Sequence, residues 1–419
     1  MPYRSRTTAA VTELRVLRPS EWNEWFGSLE LAFGGVADPP EERELWEELT
    51  EHERSIGIWD GPDVVGTAGA FSFRLAVPGG ALVPAAGVTM VSVAATHRRR
   101  GLLTSMMRRQ LDDVRALGEP LAVLTASEPA IYGRFGYGAA TKQMSLEIDT
   151  DRVRLAVPDG TDEVHLRYAK PDEMTAACEG VYEQLVAGRP GTPAHGPGWE
   201  RRALLDPASA RHGASPLQCL LAERAGEVVG YTTFRIKPDW DATGPKGRIA
   251  VADLLALDPA AYAALWRFVF EIDLTSTVEA RNRPVDDAVL HLVSDVRRCN
   301  IKMRDSLHVR LVELGAALEA RAYRTTVDVV FEVEDAFCPW NAGRWRLTAD
   351  AKGGASCKRT DDPVDLALSV RELGSAYLGG ESLVSLARAG RVRELRAGAV
   401  EEAASAFSGM VEPWLPRGF

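Results

Sequence analysis

Residues 87–118, GVTMVSVAATHRRRGLLTSMMRRQLDDVRALG, decide the fold of the N-terminal part of this chain. Residues 87–94 are rich in β-branched side chains, which predicts a buried strand. Apolar residues from 102 to 117 then recur at helical spacing and predict a helix that ends at Gly118. The turn between them, His97-Arg98-Arg99-Arg100-Gly101, is basic. Arginines and a glycine therefore lie at a predicted helix N-terminus.

A helix N-terminus of this kind can bind a phosphate group. The N–H groups of its first turn have no partner inside the helix and the helix dipole is positive there, so backbone donors can hold a pyrophosphate. Gly101 lets the phosphate approach closely. Taken alone, the pattern Arg98-x-x-Gly101-x-Leu103 favours an ordinary basic helix start on a solvated surface.

A second strand and turn follow this helix directly. Residues 121–127, LAVLTAS, predict a strand, and residues 131–138, IYGRFGYG, predict a turn rich in tyrosine and glycine. Tyr132 in isolation is also consistent with a half-buried aromatic residue whose hydroxyl bonds the backbone. Because the basic turn lies upstream at a suitable distance, we favour a joint site over this alternative.

Together the two turns resemble the GNAT acetyltransferases. The basic turn is similar to their Arg/Gln-x-x-Gly-x-Gly/Ala signature, with Leu103 in place of the final small residue, and residues 132–137 match their Tyr-x-x-x-Gly-aromatic segment. The joint pattern resembles one branch in particular, the enhanced intracellular survival (Eis) family of aminoglycoside acetyltransferases. This resemblance extends along the whole chain, through residues 316–323 and 373–380, to Phe419.

The resemblance implies where acetyl-coenzyme A (acetyl-CoA) would bind. In GNAT enzymes two neighbouring parallel strands splay apart and the pantetheine arm lies between them. Val91 and Val93 would align this arm, and a backbone N–H near Val93 would polarise the thioester carbonyl. The helix start would hold the pyrophosphate, and Ser127 would contact the arm nearby. The implied cofactor-binding residues are Val91, Ser92, Val93, Arg98, Arg99, Arg100, Gly101, Leu102, Leu103, Thr104, Ser127 and Glu128.

The resemblance also implies the catalytic residues. Tyr132 would be the general acid, because a phenol of pKa about 10 stays protonated at neutral pH and can donate to a leaving thiolate. The base would be the C-terminal carboxylate, which here belongs to Phe419. An α-carboxylate of pKa about 3.5 is a weak base, but it can hold an ammonium group or relay a proton through water. A frayed terminus is the usual alternative, and the apolar Trp414, Leu415 and Phe419 favour docking.

Amine recognition is expected to use acids and aromatic rings, because a desolvated cation requires compensating charge and flat surfaces. The resemblance implies Phe33, Asp38 and Trp46 as the acceptor-binding residues: Phe33 and Trp46 match the pocket spacing of the family, and Asp38 matches it more loosely. Glu41 and Glu42 are at least as typical of the solvated face of an amphipathic helix. Gly34-Gly35 and Gly418 occupy positions where relatives can carry an acid, which predicts a different or weaker aminoglycoside profile.

The length of the chain, 419 residues, predicts about three domains. We place a catalytic GNAT domain at 1–150, a second GNAT-like domain at 151–306 and a third domain at 307–419. In the middle segment, a hairpin at 217–236 and strand-like residues at 249–257 repeat the first pattern, but the turn that follows is Asp258-Pro259. This turn offers an acid where the first copy offers cations, so the second copy is predicted to be degenerate and to bind no coenzyme A.

In the Eis family the third segment resembles the sterol-carrier-protein fold. Its pattern predicts a helix at 312–320, strands at 325–334, 344–348 and 364–370, and helices at 372–377, 381–389 and 400–407. The expected fold class is α+β, with tandem GNAT domains of mixed β-sheet and flanking helices plus a sterol-carrier-protein-like α/β domain. Taken alone, this segment would suggest a lipid-binding module, but in the family it chiefly delivers the chain terminus to the active site.

Composition and charge limit the function classes. A net charge of −10 argues against nucleic-acid binding, which requires clustered cations. The five cysteines are scattered without C-x-x-C spacing, so neither a disulfide framework nor a zinc site is indicated and no metal is expected. No stretch has the continuous apolar character of a signal peptide or membrane span, so we expect a cytoplasmic protein with no membrane partner.

These observations predict an acetyl-CoA-dependent N-acetyltransferase that modifies amines of polycationic small molecules. Aminoglycosides, and hence antibiotic resistance, are the leading candidates. The alternatives are a protein lysine or polyamine acetyltransferase, and a lipid or sterol carrier with a vestigial GNAT half. The resemblance implies a homo-oligomer, a homohexamer in this family. The sequence leaves open the physiological acceptor and which of its amines are acetylated.

Overall fold

The computed structural model describes residues 12–350 and 354–419, apart from the side chain of residue 172. The first stretch of the chain alternates short helices with the long strands of a hairpin. Its elements are β1 (Glu13–Val16), α1 (Trp22–Ala32), α2 (Pro40–Leu49), β2 (Ile56–Asp60), β3 (Asp63–Ala76), β4 (Leu82–Val93), α3 (Leu102–Ala116), β5 (Leu121–Thr125), α4 (Pro129–Tyr132), β6 (Gly138–Ala139) and β7 (Lys142–Asp149).

The middle stretch repeats this alternation. Its elements are β8 (His165–Ala169), α5 (Pro171–Val186), β9 (Pro193–Ala194), β10 (Gln218–Arg224), β11 (Glu227–Lys237), β12 (Trp240–Asp241), β13 (Gly244–Pro245), β14 (Gly247–Ala256), α6 (Pro259–Phe270), β15 (Thr275–Arg283), α7 (Val289–Leu292) and β16 (Lys302–Asp305). The last stretch contains β17 (Leu307–Leu311), α8 (Leu314–Glu319), β18 (Val327–Glu334), β19 (Gly343–Ala349), β20 (Ala355–Arg359), β21 (Leu366–Ser369), α9 (Val370–Ala376), α10 (Leu383–Arg388), β22 (Val392–Glu394) and α11 (Ala399–Phe407).

The first sheet has the strand order β1-β2-β3-β4-β5-β17-β6, and β9 adds to it by pairing with β3. Within it β4 and β5 run parallel, and the helix α3 connects them. Met107 and Leu111 of α3 are buried against this sheet. The helical spacing of apolar residues that the sequence shows over 102–117 therefore corresponds to the face that α3 buries.

The second sheet has the strand order β16-β7-β15-β14-β11-β10-β8. The hairpin predicted at 217–236 is observed as β10 and β11, and the strand predicted at 249–257 is observed as β14. As in the first sheet, a helix joins two parallel strands: α6 connects β14 to β15 and buries Ala261, Leu265 and Val269. The middle stretch thus repeats the β-hairpin, strand, helix and parallel strand of the first.

At their junction each of the two sheets contains a strand from a different predicted domain. β7, which we assign to the first domain, pairs with β15 and β16 in the second sheet, and β17, which we assign to the third domain, pairs with β5 and β6 in the first. A polar turn such as the one near residue 150 marks where the chain changes direction. It does not determine which sheet the flanking strands join, because strand pairing depends on residues far away in sequence. The boundaries 1–150, 151–306 and 307–419 stay predictions.

The third sheet has the order β20-β19-β18-β21-β22 and is covered by the helices that the sequence predicts. Its interior is filled by the protein's own side chains: the ring centroids of Phe331 and Phe407 lie 6.3 Å apart, and those of Tyr323 and Phe407 lie 5.2 Å apart. The same apolar core continues into the first sheet through Leu121 and Val309. The third unit is therefore packed directly on the first sheet.

The C-terminal tail docks on the middle unit, as its apolar composition predicts. Trp414 and Leu415 are buried. The Trp414 backbone N–H donates to the Pro190 carbonyl at 2.8 Å, and its indole N–H donates to the Asn282 carbonyl at 2.8 Å. The Asn282 amide in turn donates to the Leu415 carbonyl at 3.1 Å. These bonds fix the direction in which the last four residues leave the middle unit.

Within residues 12–350 and 354–419, no helix is long and apolar enough to cross a membrane. In the same ranges no group of three or more His, Cys, Asp and Glu side chains could hold a metal ion. The five cysteines are buried free thiols. Burial raises the pKa of the Cys357 thiol to about 12, so this thiol stays protonated at neutral pH.

Candidate active site

A cavity of about 910 Å³ opens between β4 and β5 and extends to α1, α2 and the chain terminus. It brings together every predicted site residue except Arg100. Those that line it are Phe33, Asp38, Trp46, Val91, Ser92, Val93, Arg98, Arg99, Gly101, Leu102, Leu103, Thr104, Ser127, Glu128, Tyr132 and Phe419. Arg100 instead donates to the Thr96 carbonyl at 3.0 Å.

The cavity exists because two parallel strands separate. β4 and β5 pair over residues 85–87 and 121–123, and past these residues they diverge. On its other edge β4 carries a bulge: Thr67 pairs with Ser92 but Gly69 pairs with Thr89, and Met90 has a φ of 53°. The Thr67 hydroxyl donates to the Met90 carbonyl at 2.7 Å and holds this bulge in place. Residues 88–93 line the cavity, and they follow the point at which β5 diverges from β4.

The start of α3 forms one end of the cavity. Gly101 occupies the N-cap with a φ of 84°, a left-handed conformation that favours glycine, and no side chain caps the helix. The Arg98 and Arg99 side chains are exposed beside it. Uncapped N–H groups and two cations at a helix start are the features that an anionic phosphate requires.

Tyr132 lies at the end of α4, half-buried in the cavity wall. Burial, reinforced by the nearby Glu128 carboxylate, raises its pKa to about 12. Its ring packs edge-on against Tyr137, with centroids 6.0 Å apart. Tyr137 is fully buried, and its hydroxyl has no hydrogen-bond partner among the described residues. Tyr132 is therefore the tyrosine of this pair that can reach a ligand, and it is protonated at neutral pH.

The turn that follows Tyr132 rests on a buried ion pair from the last stretch of the chain. Arg310 of β17 donates to Asp335 at 2.6 Å, and both side chains are buried. Gly136 has a φ of 85°, and a Cβ placed there would lie 2.6 Å from the Arg310 guanidinium. A larger residue at 136 would therefore displace the arginine, so the glycine of the tyrosine motif is required by packing as well as by backbone conformation.

The last residue closes the cavity. The Phe419 ring packs edge-on against Phe73, with centroids 4.9 Å apart. It also lies against Gly87, where a Cβ would come within 3.3 Å of the ring. Arg202 donates to the carbonyl of Gly418. Phe419 is thus held at the cavity wall, with its ring next to the strand β4.

Acids and aromatic rings lie together in the half of the cavity near α1 and α2. Trp46 lines it, and Phe33 lies at its mouth with 62% of its surface exposed. Burial raises the pKa of the Asp38 carboxyl, and the charge of Glu30 raises it further. Burial also raises the pKa of Glu42, with a further contribution from Asp38. Partly desolvated carboxylates of this kind attract a cationic group.

Three family models match the chain. An acetyltransferase (GNAT) domain matches residues 13–140, another acetyltransferase (GNAT) domain matches residues 194–311, and a sterol carrier protein domain matches residues 314–416. A Streptomyces avermitilis protein named as an uncharacterized N-acetyltransferase is 70% identical over 97% of this chain and 100% of its own. The N-acetyltransferase Eis of Mycobacterium bovis is 34% identical over 90% of this chain and 92% of its own. The chain belongs to the Eis family of N-acetyltransferases.

The crystal structure of Eis1 from Mycobacterium abscessus agrees with this assignment. It has a TM-score of 0.82 and 34% identity to this chain, covering 98% of this chain and 100% of that one. The predicted fold class is confirmed: two GNAT-type units and a sterol-carrier-protein-like unit, in which helices flank mixed sheets. The prediction of an N-acetyltransferase is also confirmed, and the GNAT domain implies that acetyl-CoA is used.

The second GNAT unit of this Eis-family enzyme lacks the open helix start of the first. At the N-terminus of α6 the Asp258 carboxylate accepts hydrogen bonds from the Ala260 and Ala261 N–H groups, both at 2.9 Å. Arg224 lies 3.3 Å from the same carboxylate. These contacts satisfy the donors and the positive charge that a phosphate would use, and they support the prediction that this unit binds no coenzyme A.

Sequence reasoning missed two residues at the site of this Eis-family enzyme. Arg202, from the 3-10 helix Trp199–Leu204, lines the cavity beside Trp46 and Phe419. Arg310 supports the tyrosine turn from β17. Neither belongs to a motif or a periodic pattern, and each reaches the site from a distant part of the chain, so no local signal could have found them.

Proposed function

We propose that this enzyme transfers an acetyl group from acetyl-CoA to an amine in the 910 Å³ cavity. The observation that carries this proposal is the union, in one cavity, of the bulged strand, the uncapped helix start, Tyr132 and the terminal carboxylate. When bound, acetyl-CoA supplies a thioester whose carbonyl carbon an amine can attack and whose sulfur leaves as a thiolate.

The binding roles follow from the chemistry of the residues present. Arg98, Arg99 and the N–H groups from Gly101 to Thr104 would hold the pyrophosphate at the start of α3. Val91, Ser92 and Val93, on the bulged part of β4, would orient the pantetheine arm and offer a backbone N–H group to the carbonyl. Leu102, Leu103, Ser127 and Glu128 would complete the walls around the arm. Arg100 contacts Thr96 and would contribute to the charge of the turn.

Tyr132 would be the general acid that neutralises the charge on the leaving sulfur. Its hydroxyl is protonated at neutral pH and can donate a hydrogen bond, and then a proton, to the thiolate. The Tyr132 pKa of about 12 exceeds the ordinary thiol pKa of about 8.5, so proton transfer from Tyr132 to the thiolate is unfavourable by itself. The tyrosinate that it forms would therefore have to be reprotonated. The amine that has attacked carries a surplus proton that can supply it.

The Phe419 carboxylate would hold the amine for attack. The contacts of Phe419 with Phe73 and of Arg202 with Gly418 support this role, because they hold the last residue at the cavity wall. A fixed carboxylate can orient an ammonium group and accept its proton directly or through water. Phe33, Asp38 and Trp46 would bind the rest of the acceptor.

Aminoglycosides remain the acceptor class that the family resemblance implies, with protein lysines and polyamines as alternatives. We also retain the homohexamer and the cytoplasmic location as proposals on the same ground. The test is an acceptor screen in which thiol release from acetyl-CoA is followed with aminoglycosides, polyamines and a lysine peptide. If no amine supports release above the rate of hydrolysis, the proposal is wrong.

The packed interior of the third unit supports the lipid-carrier alternative less well than the cavity supports acetyl transfer. Phe331, Phe407 and Tyr323 pack against one another in its interior, where a carried lipid would lie. Lipid extraction from vesicles without any acetyl transfer would favour the carrier over the enzyme.

A further inference from the structure

The proposed reaction uses Arg202 for its hydrogen bond to the Gly418 carbonyl, but it does not use the positive charge of this residue. The Arg202 guanidinium carbon lies 4.6 Å from the centroid of the Trp46 ring and 6.0 Å from that of Trp199. Stacking on these two indoles fixes the guanidinium at the cavity wall. Burial, together with the charge of Arg417, lowers its pKa to about 10, so it is still fully charged at neutral pH.

Most N–H donors of the Arg202 guanidinium have no hydrogen-bond acceptor among the described residues. A guanidinium carries five N–H groups, and within the described residues the Arg202 side chain makes one hydrogen bond, to the Gly418 carbonyl. Within the same residues no acid forms an ion pair with it, and Glu42 is the acid whose charge reaches it from further away. Arg202 lines the cavity together with Trp46 and Phe419, and it also lines a smaller cavity that contains Asp253.

The charges around the acceptor pocket are of both signs. Glu30 forms an ion pair with Arg43 at 2.7 Å. Asp38 and the terminal carboxylate remain as anions, and Arg202 is the cation between Trp46 and the terminus. A polycation would bring positive charge against Arg202, whereas a molecule with an amine and an anion would match both signs.

The two binding positions lie close together. Arg202 contacts Gly418, and the carboxylate proposed to hold the amine belongs to the next residue, Phe419. Successive Cα atoms are about 3.8 Å apart. An acceptor that uses both positions therefore has its amine and its anion separated by only a few bonds.

We propose that the acceptor is a short amino carboxylate, and that Arg202 binds its carboxylate while the Phe419 carboxylate holds its amine. This inference rests on the proposed acetyl transfer. A guanidinium and a carboxylate form paired, charge-assisted hydrogen bonds, which favour this class over a simple amine of the same length.

The experiment compares β-alanine with n-propylamine, which differ by a carboxylate in place of a methyl group. We expect the wild-type kcat/KM to be at least about tenfold higher for β-alanine, which is the effect of one charge-assisted hydrogen bond. Arg202→Gln keeps an N–H donor for the Gly418 carbonyl but removes the charge, and we expect it to abolish this preference. The matched control is Arg201→Gln, because Arg201 is exposed, pairs with Glu48 and lies outside the cavity. It should keep the preference.

The outcomes separate the two proposals. Two results would overturn the role of Arg202 and leave the proposed acetyl transfer intact. In the first, both amines are acetylated and Arg202→Gln does not change the ratio of their kcat/KM values. In the second, the wild-type enzyme prefers n-propylamine. If neither amine is acetylated, calorimetric titration of β-alanine into the complex with coenzyme A decides: binding that Arg202→Gln abolishes supports the inference, and no binding overturns it. Lack of transfer to every amine in the wider screen overturns the proposed function instead.

Discussion

Converting the Phe419 carboxylate to a carboxamide tests the proposed chemistry without changing any side chain. The change removes one negative charge from the cavity and keeps the ring against Phe73. A hydrogen bond between charged partners contributes about 1.5–3 kcal/mol. If this carboxylate holds the ammonium group, its loss should therefore lower kcat/KM by about 10²-fold.

The same change should leave the fold intact. The Phe419 ring is half-buried, and full burial of a phenylalanine contributes about 1.5–3 kcal/mol, so even deletion of the residue would cost about 1 kcal/mol. Domains of this kind have unfolding free energies of about 5–15 kcal/mol. The amidated protein keeps the ring and should unfold at nearly the wild-type temperature.

The assay is thiol release with the best acceptor of the screen, on protein amidated by ligation of a synthetic C-terminal peptide. Protein ligated to the natural carboxylate is the control, and titration with acetyl-CoA checks that cofactor binding survives. Full activity of the amide would refute the assignment. The base would then have to be sought among Asp38, Glu41 or an ordered water.

Four further substitutions and a pH profile test the site and the residues that support it. Arg99→Glu should weaken acetyl-CoA binding by about 1–3 kcal/mol in calorimetry, because a phosphate contact becomes repulsive, whereas Asp258→Ala in the second unit should leave it unaltered. Tyr132→Phe should lower kcat by about 10²-fold. Since burial raises the Tyr132 pKa to about 12, the proton donor is lost only above that value, and the wild-type kcat should show no alkaline fall from this group below about pH 11. Asp335→Ala leaves the buried Arg310 charge unpaired and should cost about 3–5 kcal/mol in denaturant unfolding.

The elements around residues 87–138 could be predicted from sequence because their signals are local. A β-branched run, a basic turn with a glycine and a helical apolar pattern each act within a few residues, and the structure has β4, Gly101 as N-cap and α3 in that order. The predicted acceptor residues Phe33, Asp38 and Trp46 do line the cavity. The family resemblance supplied these residues, since their own neighbourhood has no distinctive pattern.

The parts that sequence did not predict depend on contacts between distant segments. The bulge at Met90 requires a positive φ that methionine rarely adopts, and it is stabilised by Thr67 on the neighbouring strand. Arg202 reaches the cavity from the middle unit because the C-terminal tail docks beside it. No periodicity along the chain encodes either arrangement.

The pairing of β5 with the distant strand β17 has a consequence for how the protein is made. β5 leaves the ribosome early, but its partner β17 follows only after roughly 180 further residues, which at about 5–20 residues per second takes on the order of ten seconds or more. Until then one edge of the catalytic sheet is unpaired and can associate with another nascent chain. Slow stretches of translation in the middle segment should therefore lower the yield of native enzyme, and a chaperone that covers this edge should restore it.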